Sequence, residues 1–299
     1  MKRILFVTSN RIGDAVLSTG LLDHLLRTHP QARFTVACGT VAEGVFVRMP
    51  RLERLILLEK RRDRRHWLPL WGATAFTRWD LVVDIRASAL SYLVPARRRA
   101  RMRRGKGAKI AQLAAVLGLD PPPLPVVWTS PEDEARAAAL LPHRPLLVLA
   151  PTANWSGKIW PAERFIELGE QLLAGPLAGA AVAVMAGPGE TERGLAAPVL
   201  AAFPGAIDLV GHLSLPQAAA CLRRASLFVG NDSGLMHLAA AAGAPTLGLF
   251  GPTPAVEYAP AGIRAAASVA ADGTMAGLPV DQTLADAIRL LPPAPDAAA

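Results

Sequence analysis

Four short polar segments of this 299-residue chain hold side chains that could do chemistry, and each follows a predicted strand. The first runs from Asn10 to Asp14. Gly13 allows a tight turn there, and Asp14 stands where the following helix is predicted to begin. Its carboxylate could serve as a general base, or it could simply cap the helix. The residues alone leave both interpretations open.

The second segment, Pro151 to Pro161, places one lysine among small and hydroxyl-bearing residues. Lys158 is the only lysine after Lys109, in a half of the chain that is otherwise acidic. A single ammonium group in such surroundings suits a phosphate, although a solvated loop lysine would have the same neighbours. The segment therefore indicates an anion site with Lys158 as its charged group.

The third segment, Gly187 to Gly194, is rich in glycine and acidic residues. Its glycine spacing fits neither the Walker motif nor the dinucleotide-binding motif. Glu190 could accept a hydrogen bond from a ribose hydroxyl, or it could merely favour the N-terminus of a helix. The segment by itself does not decide between these two roles.

The fourth segment, Gly230 to His237, predicts a strand, a small polar turn and the start of a helix. The free N–H groups and the dipole of a helix N-terminus can hold a phosphate. Asp232, Ser233 and Gly234 occupy the predicted turn. His237 follows one helical turn later, where it could face the same ligand or serve a structural role.

The positive charge is concentrated in the N-terminal half of the chain. Residues 1–150 contain 25 Lys and Arg against 12 Asp and Glu, a net charge of +13, whereas residues 151–299 have a net charge of −5. The basic runs at 60–65 and 97–104 contain no interleaved aromatic residues, so we expect no nucleic-acid partner. They favour an anionic membrane surface or an acidic glycan, unless they serve only solubility.

Short apolar runs alternate with helical patterns along the chain, which predicts an α/β protein with two parallel sheets covered by helices. We place the domain boundary near Pro145, after a predicted strand at 126–128 and a helix capped by Ser130. The expected domains are residues 1–145 and 146–291, followed by a disordered tail at 292–299. Ligands of such sheets bind at the carboxyl ends of the strands, where the four segments lie.

Several classes of protein are disfavoured by what the sequence lacks. Cys38 and Cys221 are far apart and match no disulfide or metal spacing, which favours a reducing compartment. No apolar run has the length expected of a signal peptide or a membrane span. We therefore expect a cytoplasmic protein without a bound metal or cofactor.

Taken together, the motifs resemble glycosyltransferase family 9, the bacterial heptosyltransferases of lipopolysaccharide core synthesis. The resemblance extends from Arg3 to about Leu291, and the block at 230–253 is its most specific part. The motifs are RIGDAVLSTGLL at 11–22, DLVVDIRAS at 80–88, PTANWSGKIWPAERF at 151–165, GPGETERG at 187–194, GNDSGLMHLAAAAGAPTLGLFGPT at 230–253 and YAP at 258–260.

The resemblance implies a GT-B architecture, with two Rossmann-like domains and an interdomain cleft. The N-terminal domain would receive an acidic glycolipid acceptor and the C-terminal domain would bind a nucleotide sugar, in agreement with the charge asymmetry. The implied reaction is metal-independent transfer of heptose, with inversion, from ADP-heptose to a lipid A acceptor that bears Kdo. Such an enzyme would contact the cytoplasmic face of the inner membrane.

The resemblance also implies roles for individual residues. Asp14 matches the general base, and Lys158 would hold the donor phosphates and stabilise the leaving ADP. The implied donor-binding residues are Thr152, Lys158, Glu190, Asp232, Ser233, Gly234 and His237. The candidate acceptor contacts in the basic half are Arg11, Arg61, Arg62, Arg86 and Arg98.

Three alternatives remain open from the sequence. A family member could use another nucleotide sugar or another glycan acceptor. A sugar-nucleotide epimerase of similar fold would need its own acid and base groups, and it would leave the basic N-terminal half unexplained. A catalytically silent, glycan-binding relative would have no need of both Asp14 and Lys158.

Overall fold

A computed structural model describes residues 2–59, 67–103 and 105–292 of the chain. Arg61, Arg62 and the predicted tail, apart from Pro292, lie outside the described residues. The chain divides into two compact units, residues 1–128 and 129–299.

The N-terminal unit is built on a parallel sheet of five strands in the order β3-β2-β1-β4-β5. The central strand β1 is almost entirely apolar, and four of its five residues are buried, as expected of a strand covered on both faces. The strands are β1 (Arg3–Val7), β2 (Arg33–Gly39), β3 (Leu52–Leu58), β4 (Trp79–Asp84) and β5 (Ala96–Arg101).

Among the described residues, one long α-helix and three short ones connect these strands, and a further short helix follows β5. The long helix begins at Ile12, before the predicted start at Asp14, and it buries Leu21, Leu22 and Leu25. The helices are α1 (Ile12–Thr28), α2 (Glu43–Phe46), α3 (Trp67–Thr74), α4 (Leu90–Leu93) and α5 (Lys109–Ala114).

The C-terminal unit contains a second parallel sheet, with six strands in the order β11-β10-β9-β6-β7-β8. All residues of the three central strands β6, β9 and β10 are buried. The strands are β6 (Leu146–Ala150), β7 (Ala181–Val184), β8 (Ile207–Asp208), β9 (Leu227–Asn231), β10 (Thr246–Phe250) and β11 (Ala265–Val269). The two sheets confirm the predicted α/β class.

The helices of this unit show clear local start and stop signals. Ser130 and Asp133 form a reciprocal capping box at the start of α6, as its sequence predicts, and α10 ends at Gly243 with φ of +89°. The helices are α6 (Pro131–Leu140), α7 (Ala162–Ala174), α8 (Glu190–Ala202), α9 (Leu215–Leu222), α10 (Gly234–Ala242), α11 (Ala255–Tyr258) and α12 (Val280–Ile288).

The division between the units lies between Trp128 and Thr129, which corrects the predicted boundary near Pro145. Helix α6 belongs to the C-terminal unit because it packs against α9. The Arg223 guanidinium, just after α9, donates to Glu134 at 2.5 Å and to Thr129 at 3.1 Å. The residues before α6, including PPP at 121–123, did not predict that α6 attaches to the C-terminal unit. A sequence pattern can predict a helix, but it does not show which partner the helix packs against.

Two local predictions also require correction. Residues 126–128 form no strand; instead the backbone N–H of Val126 donates to the Thr19 hydroxyl at 2.8 Å. Residues 96–101, interpreted only as part of a basic run, form the edge strand β5. An edge strand tolerates arginines because its outer side is not covered by another strand.

No helix within the described ranges is both long enough and apolar enough to cross a membrane.

Candidate active site

The polar segments of the C-terminal unit meet at one edge of its sheet. Parallel pairing sets Ala150 of β6 beside Gly230 of β9, Leu149 of β6 beside Val184 of β7, and Leu249 of β10 beside Asn231 of β9, so these four strands all end on the same side.

 The segments that follow these four strands, which carry Thr152, Glu190, Asp232 and Thr253, therefore lie along a single carboxyl edge.

Lys158 and Asp232 form an ion pair at this edge. The Lys158 Nζ lies 2.5 Å from the Asp232 Oδ2, and their side chains are only 21% and 8% exposed. Lys158 ends a short 3₁₀ turn, Ser156–Lys158, and Asp232 follows β9 directly. Because an ammonium group has three N–H donors, Lys158 keeps donors for an anionic ligand while it contacts Asp232.

Asn231, which the sequence analysis did not single out, attaches the segment of Lys158 to the sheet. Its Oδ1 accepts a hydrogen bond from the backbone N–H of Trp160 at 3.1 Å. Trp160 is fully buried, and its indole N–H donates to the Leu278 carbonyl at 3.0 Å. These two bonds, one from the backbone and one from the side chain of Trp160, hold the 151–161 segment in place. The signal for Asn231 in the sequence was its position just after a predicted strand, next to Asp232.

The start of α10 has polar groups that no protein group satisfies among the described residues. Ser233 is the N-cap residue, yet its side chain makes no capping hydrogen bond, and its buried Oγ has no partner within the described part of the chain. The N–H groups of the first helical turn, which begins at Gly234, have no carbonyl to bond within the helix. Such a site suits a phosphate or a hydroxyl group.

Two more buried polar atoms lack a hydrogen-bond partner among the described residues: the Asn231 Nδ2 and the Thr253 Oγ1. Asn231 ends β9, and Thr253 follows β10, the strand beside it. A buried donor or hydroxyl without a partner is costly unless a ligand or water satisfies it. Asn231 and Thr253 therefore join Ser233 as candidate ligand contacts.

The remaining predicted donor residues occupy different environments. Thr152 is buried two residues after β6, and His237 is buried within α10. Glu190 is exposed and is the first residue of α8, after Gly189 with φ of +116°. Glu190 thus lies at a helix N-terminus, which is compatible with both roles considered for it.

In the N-terminal unit, Asp14 lies within the first turn of α1. The N-cap is Arg11, so the interpretation of Asp14 as the capping residue is wrong. The half-buried Asp14 carboxylate accepts a hydrogen bond from the Ser9 hydroxyl at 3.3 Å. Its position leaves it available for the general-base role.

Arg86 lies close to the Asp14 segment because β1 and β4 are neighbours, with Val7 beside Asp84. The Arg86 guanidinium donates to the Asn10 Oδ1 at 2.7 Å and stacks 5.1 Å from the centre of the Trp67 ring. Burial lowers the pKa of Arg86 from its ordinary value. Burial likewise raises the pKa of Asp84, although hydrogen bonds from Ser88 and the Arg86 N–H oppose the shift.

The other candidate acceptor contacts are less enclosed. Arg11 and Arg98 are exposed, and Arg61 and Arg62 lie outside the described residues. Over residues 2–59, 67–103 and 105–292, no three His, Cys, Asp or Glu side chains come together as a group that could hold a metal ion.

The two parallel α/β units, each with polar residues at the carboxyl edge of its sheet, have the architecture of the GT-B fold. The sequence model of a protein family, glycosyltransferase family 9 (heptosyltransferase), matches residues 80–280, which is more than half of the chain. The chain belongs to this family, and it is a glycosyltransferase.

The similarity to individual relatives extends over most of the chain. It is 25% identical to lipooligosaccharide heptosyltransferase 2 of Haemophilus influenzae, with 86% of this chain and 85% of the relative covered. It is 26% identical to lipopolysaccharide heptosyltransferase 2 of Escherichia coli, with 84% and 83% covered. The solved structure of the E. coli ADP-heptose lipopolysaccharide heptosyltransferase II has the same fold, with a TM-score of 0.75, 23% identity, and 97% and 98% of the two chains covered.

Proposed function

We propose that this enzyme transfers a heptose from ADP-heptose to an inner-core lipopolysaccharide acceptor, with inversion and without a metal ion. The observation that carries the proposal is the Lys158–Asp232 pair beside the open N-terminus of α10. The family match and the names of the heptosyltransferase relatives support the choice of heptose and of lipopolysaccharide.

The donor site of the proposal follows from the carboxyl edge of the C-terminal sheet. Lys158 and the N–H groups at the start of α10 provide positive charge for a diphosphate. Glu190 accepts hydrogen bonds from the ribose hydroxyls. The other donor contacts of the proposal are Thr152, Asp232, Ser233, Gly234 and His237.

The proposed chemistry is a single displacement. The Asp14 carboxylate takes the proton of the acceptor hydroxyl while the hydroxyl oxygen bonds to the anomeric carbon of the heptose. The bond from that carbon to the phosphate oxygen breaks, and ADP leaves with the electron pair. The sugar passes through an oxocarbenium-like state, as in glycoside hydrolysis. Lys158 and the amides of α10 stabilise the charge that develops on the leaving diphosphate.

The acceptor part of the proposal concerns the N-terminal unit, where the basic residues are concentrated. Arg11, Arg86 and Arg98 contact acidic groups of a glycolipid, and Arg61 and Arg62 remain further candidates. Because such an acceptor is anchored in a membrane, the proposal includes a cytoplasmic enzyme that works at the inner-membrane surface.

The first test is thermal unfolding in the presence of ADP, UDP, GDP or CMP. A ligand present at about 100 times its dissociation constant adds about 2.7 kcal/mol to the free energy of unfolding, which gives a measurable increase in Tm. We expect ADP alone to stabilise the protein. A response to UDP or GDP would retain the glycosyltransferase and exclude the ADP-linked donor, whereas no response would favour a glycan-binding relative.

The second test separates transfer from the alternatives by measuring nucleotide release. We expect ADP to be released from ADP-heptose only when a truncated lipopolysaccharide acceptor is present. ADP release without acceptor would contradict the proposed transfer reaction. A product with retained anomeric configuration, detected by NMR, would contradict the single displacement.

A further inference from the structure

Four large side chains of the N-terminal unit form an exposed apolar patch. They are Leu68, Trp71, Tyr92 and Leu93, which are 64%, 42%, 64% and 61% exposed. We call them the α3–α4 patch, since they belong to these two helices. Large apolar groups clustered on a surface in this way mark an interaction site more often than isolated ones do.

The members of the α3–α4 patch lie together. The Trp71 indole N–H donates to the Leu93 carbonyl at 3.2 Å, and Leu68, Trp71 and Leu93 line one recess of about 840 Å³. The Tyr92 ring lies under the Arg101 guanidinium, 4.2 Å from ring centre to Cζ, and its hydroxyl accepts a hydrogen bond from Arg101. The polar groups of both aromatic residues are thus satisfied within the protein, while their rings remain accessible.

The patch adjoins the basic edge strand β5. Arg99 and Arg101 donate to backbone carbonyls between residues 87 and 96, which joins β5 to the loops around α4. Arg103 is exposed beside the recess that Tyr92 lines, and within the described ranges no carboxylate pairs with it. The apolar side chains are therefore flanked by positive charge.

We infer that the α3–α4 patch and β5 form a surface that docks on a lipid bilayer with anionic headgroups. Exposed leucines gain free energy by entering the acyl region, and Trp and Tyr favour the boundary between headgroups and acyl chains. Arginines beside them attract anionic headgroups. Arg86 and Ser88 also line the recess and offer hydrogen bonds to a sugar, but a sugar ligand would not explain why the aliphatic side chains of Leu68 and Leu93 are exposed beside it.

Flotation with lipid vesicles tests this surface in the full-length protein. The vesicles contain phosphatidylethanolamine with phosphatidylglycerol, and vesicles of phosphatidylcholine serve for comparison. We expect binding to the anionic vesicles and a loss of binding when the salt concentration is raised to about 1 M. Leu93→Ser should lower the partition coefficient about tenfold, because it removes one inserted aliphatic side chain.

The matched control is Ile263→Ser, which removes an 84% exposed aliphatic side chain from the C-terminal unit. We expect it to bind vesicles like the unchanged protein. Leu68→Ser provides a second substitution in the patch, should Leu93→Ser lower the Tm. Equal binding by all of these variants would overturn the inference.

Two other outcomes would identify a different occupant. If Leu93→Ser raised the KM for a deacylated, soluble acceptor without changing vesicle binding, the patch would bind the acceptor sugar. If it changed only the sedimentation of the protein, the patch would join two copies of the chain.

The inference rests on the proposed function only for the choice of a membrane-anchored acceptor. Vesicle binding is measured without turnover, so the membrane-docking surface can be disproved while the proposed transfer reaction holds, and the reverse.

Discussion

The Lys158 ammonium lies 2.5 Å from the Asp232 carboxylate, although 74 residues separate them in the chain. They meet because β6 and β9, the strands that precede their two segments, are neighbours in the sheet. Both side chains are largely removed from solvent, so neither charge is well hydrated without the other. The pair therefore links the stability of the C-terminal unit to its proposed anion site.

Removing one member of this pair should destabilise the protein. We expect Lys158→Met or Asp232→Asn to lower the free energy of unfolding by about 2–3 kcal/mol, since each leaves a mostly buried charge unpaired. The double variant should lose less than the sum of the two, with a coupling of at least about 1 kcal/mol in urea unfolding. The more exposed pair of Arg27 and Asp23, whose side chains are 68% and 28% exposed, provides the control, and Arg27→Met should cost less than about 1 kcal/mol. Strict additivity at Lys158 and Asp232 would contradict the coupling.

Asp14 and Asp23 on helix α1 allow a matched test of the general base. We expect Asp14→Asn to lower kcat by a factor of about 10²–10⁴, the usual range for a general base, while ADP binding measured by calorimetry stays unchanged. Asp23→Asn, which removes a partner of the exposed Arg27, should leave both quantities unchanged. A loss of ADP binding in Asp14→Asn with unchanged kcat would assign Asp14 to the donor site instead.

Ser233 and Ser214 are both N-cap residues, but only Ser214 caps its helix through its side chain. We expect Ser214→Ala to lower the free energy of unfolding by about 1 kcal/mol without affecting nucleotide binding. Ser233→Ala should show the opposite pattern, with nearly unchanged stability and weaker nucleotide binding. Calorimetric titration with ADP, together with urea unfolding, measures both effects. The prediction fails if Ser233→Ala destabilises the protein and binds ADP normally.

The two cysteines should be unreactive in the folded protein. Burial raises the pKa of Cys38 to about 12 and that of Cys221 to about 11, so very little of either thiol is ionised at pH 8. The thiolate is the reactive form, and a raised pKa lowers its population at every pH below that value. An aromatic disulfide reagent should label neither cysteine at pH 8, and both after unfolding in guanidinium. Rapid labelling of the folded protein would contradict this expectation.

The local signals in the sequence accounted for much of the fold. Apolar runs such as β1 and β6 identified the buried strands, and Ser130 with Pro131 and Asp133 identified the start of α6. Strand β5 was missed because its arginines hide the pattern of a strand, and only its place at the sheet edge accommodates them. The attachment of α6 to the C-terminal unit depends on Arg223 and Glu134, a contact between distant residues.

Local patterns in the amino-acid sequence were enough to predict the α/β class, the family resemblance and the segments that carry Asp14, Lys158 and Asp232. It could do so because strand ends and helix starts have local signatures, and because ligands bind at the carboxyl ends of parallel strands. The folded chain was needed to show that Lys158 pairs with Asp232, that Asn231 holds the Trp160 backbone and that the Ser233 side chain does not cap its helix. These are relationships across space, set by strand order and side-chain packing, and the spacing of residues along the chain does not contain them.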